Sequence, residues 1–198
     1  MKLKIPLALA LASAIAITPG LAGPAHAAEG PANPSVSVEI RTAMESVGFD
    51  EEIAAANGFQ IVTDANGVQS SIPVTNEAKQ LVARYTEREG QVGALRAVSY
   101  GPCGYSTINL VTMGFDYLTI GTSFSVNLPV QTRWWGVVGF SGSGTFNVSF
   151  NGGASGPFWT GASNVRRAGG GWGQVAVGSY VIKVDGNICW SGSPSEFF

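Results

Sequence analysis

Strict alternation of apolar and polar residues appears twice in the second half of the chain. Phe146, Val148 and Phe150 alternate with Thr145, Asn147 and Ser149, and Phe124, Val126 and Leu128 alternate with Ser125 and Asn127. Period two with one polar face predicts half-buried antiparallel strands. Further strands are predicted over residues 107–113, 115–120, 133–140, 175–184 and 187–190. Gly-rich stretches at 142–144, 152–156 and 169–173 read as loops between them, and Asp185-Gly186 as a tight turn. Seven or so short strands over about 100 residues suggest a sandwich or small barrel. No repeat of fixed period is visible, which argues against a propeller or solenoid.

The first half has a mixed pattern. Ile40, Met44 and Val47 fall at helical spacing, with Glu39 in the first turn. Asp50 is placed to cap a short helix through Ala56, with Asn57-Gly58 as its stop. Asn66-Gly67 is the preferred pair for a two-residue hairpin turn, which would pair Ile61 with Ile72 and Phe59 with Val74 on one face. A helix is predicted from Asn76 to Arg88. Its stripe of Ala78, Leu81, Val82 and Tyr85 can cover the apolar face of the hairpin as ordinary core packing. The expected class is therefore α+β: a small N-terminal helix–hairpin–helix region followed by a disulfide-closed antiparallel β-sandwich or small barrel.

Charge sharpens the division. Residues 28–95 hold ten acidic side chains against four basic ones, a balance of −6, whereas residues 96–198 hold three against five, a balance of +2. All five Trp residues lie in the second stretch. The expected organisation is a leader over 1–27, an acidic α+β region over 28–95, and a Gly/Trp-rich all-β domain over 96–198.

The leader is read from Lys2 and Lys4, an apolar run from Ile5 to Ile17, then Pro19, Gly20, Gly23, Pro24 and Ala25-His26-Ala27. That order matches a secretory signal peptide with a small-x-small cleavage site. The apolar run falls short of the ~20 residues that cross a bilayer as a helix. An exported, extracellular protein is expected, and its two cysteines, Cys103 and Cys189, then read as one disulfide.

Removing the leader removes His26, the only histidine in the chain. The usual general base and commonest metal ligand at neutral pH would be missing. Nucleophilic triads lose their base, no free thiol remains, no metal site or cofactor is expected, and no Asp-x-Asp-x-Asp-Gly calcium loop is present. Without the leader, residues 28–198 carry a net charge of −4 and no basic stripe, which argues against nucleic acid. Glycosidic cleavage needs only two carboxylates, and the second half offers Asp116, Asp185 and Glu196. Asp185 is accounted for as a turn residue, and Glu196 lies in a tail expected to fray.

Attention moves to aromatic and arginine surfaces. In the glycine-rich loop expected around Ser163–Gly173, Arg166 and Arg167 offer planar donors for carboxylate or phosphate, with Trp172 available to stack on a ligand. In Arg133-Trp134-Trp135, strand geometry sends Trp134 and Trp135 to opposite faces, so one at most reaches a sandwich core. Phe158-Trp159 is a further aromatic pair. The candidate ligand-binding residues are Trp134, Trp135, Arg166, Arg167 and Trp172. The leading expectation is a secreted, non-enzymatic binding or surface-interaction protein, its partner a cell-wall glycan, an anionic envelope polymer or another protein. One alternative treats 28–95 as a pro-region or shield, ending near Arg96-Ala97, over a membrane-active or antibacterial β-effector. Another is a carboxylate-based glycosidase.

Overall fold

A computed structural model describes residues 39–93 and 103–198, with side chains over 39–86 and 103–198. These belong to one compact unit, Ser35–Phe198. The expected leader and the boundary at residues 95 and 96 lie outside the described residues.

The chain runs through strands β1 (Ile40–Ala43) and β2 (Glu45–Phe49), helix α1 (Glu51–Ala56), hairpin strands β3 (Phe59–Thr63) and β4 (Gln69–Pro73), and helix α2 (Asn76–Gly93). Ten strands follow: β5 (Tyr105–Met113), β6 (Tyr117–Ser125), β7 (Val130–Trp134), β8 (Gly136–Ser141), β9 (Gly144–Ser149), β10 (Phe158–Arg166), β11 (Gly171–Val175), β12 (Tyr180–Lys183), β13 (Asn187–Trp190) and β14 (Ser195–Phe197). The protein is mostly antiparallel β-sheet.

One sheet has the order β1-β5-β6-β10. Two others, β14-β11-β8-β9 and β2-β13-β12-β7, share a continuous chain path: β7 leads into β8, β11 into β12, and β13 into β14. Together they make up a second layer, whose buried residues share one core with those of the first sheet. Ile108, Leu110, Leu118, Ile120 and Phe124 from the first layer meet Trp135, Val137, Val175, Val181 and Cys189 from the second in the main core. The Cys103–Cys189 disulfide ties the approach to β5 in one layer to β13 in the other.

The centre of this core is aromatic. Phe124 lies 5.3 Å from Trp135 and 5.5 Å from Trp159, ring centre to ring centre. The Trp135 indole N–H would be costly to bury unpaired, and it donates to Thr122 Oγ1 at 2.9 Å. The Arg133 guanidinium lies over the Trp159 ring, 4.5 Å from its centre.

Residues 40–49 are strands, which corrects the helix expected there. β1 pairs with β5 and β2 with β13, and Met44, fully buried, marks the point where the chain crosses between layers. Three apolar residues at helical spacing are a weak local signal, and sheet pairing outweighs it. The first half thus supplies a strand to each layer.

The short helix forms as its caps suggest, with the Asp50 carboxylate accepting from the Ile53 N–H at 2.9 Å and Gly58 at φ +79° after its end. The β3–β4 hairpin differs by one residue from the expected register: Gln60, not Ile61, stands opposite Ile72, and Phe59 faces Pro73. The cause lies in the turn. Asp64 accepts the N–H groups of Asn66 and Val68 and donates its own to the Val68 carbonyl, which makes a longer loop with Gly67 left-handed. Leu81, Val82 and Tyr85 of α2 pack with Ile61 on a second cluster of Ala54, Phe59, Ala78, Leu128 and Val184.

In the second half, the strand expected at 115–120 belongs to β6, which runs on through Phe124 and Ser125, whereas Val126, Asn127 and Leu128 lie in the connection to β7 and not in the strand expected at 124–128. The segment 133–140 breaks at Trp135, and 175–184 breaks between Val175 and Tyr180. The loop expected around Ser163–Gly173 is mostly strand: Ser163 to Arg166 end β10, and Trp172 and Gly173 lie in β11. The chain end is not frayed, since β14 pairs with β11 and the Glu196 carboxylate accepts the Leu110 N–H at 2.7 Å.

Candidate functional site

Strand alternation fixes what the second layer turns outward. Trp135, Val137, Val175 and Val181 fill the core, so Trp134, Phe140, Trp172 and Tyr180 point to the opposite side. Pairing then assembles these residues. Tyr180 is in register with Trp134 on one side and Trp190 on the other, and Trp190 stands opposite Glu45. Cross-strand partners share a face, so Trp134, Tyr180, Trp190 and Glu45 form a row across four strands. The Trp134 and Tyr180 rings are within 21° of parallel with centres 6.4 Å apart. Trp134 is 47% exposed and Trp190 45%.

A second row lies further along the same outer side. Phe140, Trp172 and Phe197 are in register across β8, β11 and β14, with the Phe140 and Trp172 ring centres 6.1 Å apart. Phe140 and Phe197 are exposed and Trp172 is half-buried.

The five residues singled out from sequence separate. Trp134 and Trp172 lie on this outer side, in different rows. Trp135 is core. The two arginines also divide. Arg167 is spent on protein carbonyls: Nε donates to Tyr117 at 3.2 Å, Nη1 to Gly169 and Nη2 to Gly114, each at 2.6 Å, and its N–H to Asp116 at 2.9 Å. It clamps the β5–β6 turn to the β10–β11 connection. Arg166, at the end of β10, keeps its side chain exposed. Beside that clamp, the β5–β6 turn presents Met113, Tyr117 and Phe115, the last 91% exposed.

The three carboxylates of the second half are each engaged differently. Asp116 is an exposed turn residue whose carbonyl holds Arg167. Asp185 sits in the turn between β12 and β13, as expected, and is also buried and paired with Lys183 at 3.3 Å. Burial holds the Glu196 carboxyl above the usual carboxylate range, opposed by the Leu110 N–H. Among the described residues, no three His, Cys, Asp or Glu side chains group in a way that could hold a metal ion. No described helix is long and apolar enough to cross a membrane.

Tyr180, Trp190, Phe140, Phe197 and Glu45 were missed in the sequence. Each needs the pairing of strands far apart in the chain before its face is known. Phe140, Tyr180 and Trp190 fall within expected strands and so carried a local signal; Phe197 and Glu45 carried none.

No protein-family model matches this chain, and no curated protein sequence matches it.

Proposed function

We propose that this is a secreted, non-enzymatic binding protein whose ligand is a polysaccharide of the cell-wall type, held on the outer face of the second layer. The observation that carries the reading is the in-register row Trp134–Tyr180–Trp190 ending in Glu45. Half-exposed aromatic rings offer apolar faces and edges to the C–H surfaces of sugars, and the carboxylate beside Trp190 can accept from hydroxyls. Secretion is supported by the leader pattern together with the disulfide.

The test is retention on isolated cell walls and on insoluble glycans. Trp134→Ala combined with Trp190→Ala is expected to release the protein while its melting transition stays cooperative. Retention like that of the wild type would remove the row from the site. Arg166→Ala reports separately on an anionic polymer, since Arg166 lies away from the row.

A second reading has its own support. Phe115, Met113 and Tyr117 form an exposed apolar tip held by Arg167, and such patches can mark a membrane contact. Co-sedimentation with lipid vesicles that is lost in Phe115→Ser, with no retention on glycans, would favour it.

A further inference from the structure

Away from both aromatic rows, Lys183 is buried with 2% of its side chain exposed. Its Nζ lies 2.8 Å from Asn127 Oδ1 and 3.3 Å from Asp185 Oδ2. Several features hold these groups together. The β7–β12 pairing slips between Ile182 and Lys183, a bulge of the kind that re-aims a side chain. The Val184 N–H donates to the Pro129 carbonyl, which keeps the Asn127 segment alongside. The other oxygen of Asp185 accepts the Asn187 N–H at 3.1 Å, and the Gly186 carbonyl accepts the Asp50 N–H at the start of α1. The amine is therefore held between the carboxamide and the carboxylate, in contact with each, beside an apolar cluster that includes Leu128 and Val184.

We propose that Lys183 and Asn127 form an intramolecular isopeptide bond, with Asp185 as the catalytic proton carrier. The carbonyl carbon of Asn127 is one bond beyond the oxygen that Nζ already touches, close to the separation from which attack proceeds. Asp185 takes a proton from the Lys183 ammonium, and the freed lone pair of Nζ attacks Cγ of Asn127 to give a tetrahedral oxyanion. The proton passes from Asp185 to Nδ2, the Cγ–Nδ2 bond breaks, and the carbonyl re-forms. The remaining proton on nitrogen leaves with the departing group, so ammonium is released and Asp185 ends as carboxylate. No oxidant or other reactant is consumed. Asn127 is exposed, which gives the ammonium a path to solvent. The product replaces a buried cation, costly to desolvate, with a neutral amide that links β12 to the β6–β7 connection.

Intact mass of the folded, denatured-for-analysis protein tests this, with the disulfide left in place. The wild type is expected to be lighter than its own composition by one ammonia, about 17 Da. Trypsin should fail to cut after Lys183, and a digest should contain a branched peptide joining residues 127 and 183. Asn127→Ala, a change at an exposed position, should restore the full mass and the cut. Asp185→Asn should also leave the bond unformed; if it does not fold, the wild type and Asn127→Ala comparison decides alone. A wild-type protein that keeps its full mass after days in the folded state, and is cut after Lys183 once denatured, overturns the proposal and leaves an ordinary buried ion pair.

Discussion

Trp134 and Trp135 are adjacent in the chain and lie on opposite sides of one layer, the first 47% exposed and the second fully buried against Phe124 and Thr122. One residue of alternation thus separates a surface role from a packing role. Trp135→Ala removes the largest fully buried side chain and orphans the Thr122 contact, so it is expected to cost about 3–5 kcal/mol in urea unfolding. Trp134→Ala is expected to cost less than about 1 kcal/mol. Comparable losses for the two would mean that Trp134 is a packing residue, and the aromatic row would lose its first member.

The disulfide closes a span of 86 residues and joins the two layers. In the chain-entropy model such a loop stabilises by about 4–5 kcal/mol. Cys103→Ser with Cys189→Ser is expected to lower the unfolding free energy by roughly that amount. A drop below about 1 kcal/mol would place the constraint elsewhere, and the Lys183–Asn127 link would be the first place to look.

How far the sequence led depended on the distance over which each feature is encoded. The Asp50 cap, the alternation in β9 and the split of Trp134 from Trp135 are set by residues within a few positions, and these were legible. The hairpin register was not, because the Asp64 side chain captures the turn amides and overrides the Asn-Gly preference. β1 and β2 were hidden because their partners, β5 and β13, lie far along the chain. The candidate site suffers most from this. A row such as Trp134–Tyr180–Trp190 exists only once three separate strands are placed side by side.

Glu196 gives a pH signature. Its carboxyl is held above the ordinary value of 4.5, chiefly by burial. A raised folded-state value means that this group favours the fold when protonated. Its contribution is full below 4.5 and is lost as pH rises through the folded value. Glu196→Gln keeps an acceptor for the Leu110 N–H without the charge. The variant's stability relative to wild type should therefore increase as pH climbs through that window. Denaturant midpoints measured across it for both proteins would show the trend, and a flat or reversed difference would contradict the assignment.

The pro-region reading makes a demand that can be met or refused. A chain beginning at residue 96 would lack β1 and β2, leaving β5 and β13 with bare edges. It is expected to aggregate, or to elute as soluble oligomers without the near-ultraviolet signal of packed tryptophans. A monomeric fragment with that signal intact would revive the idea that 28–95 is removable.

Arg166 and Arg167, twins in sequence, should behave as strangers in solution. The guanidinium of Arg167 donates to the carbonyls of Tyr117, Gly169 and Gly114, and these bonds knit the β5–β6 turn to the β10–β11 connection. Bonds from a charged donor are individually stronger than neutral ones, though partial exposure weakens them here. Arg167→Ala is expected to cost about 1–3 kcal/mol and to speed amide exchange at Tyr117 and Gly169. Arg166→Ala should stay within about 0.5 kcal/mol of wild type and leave exchange unchanged. If both variants instead behave alike, the clamp is not what holds the turn and the connection together, and the exposed Phe115 tip would no longer count as a rigid surface.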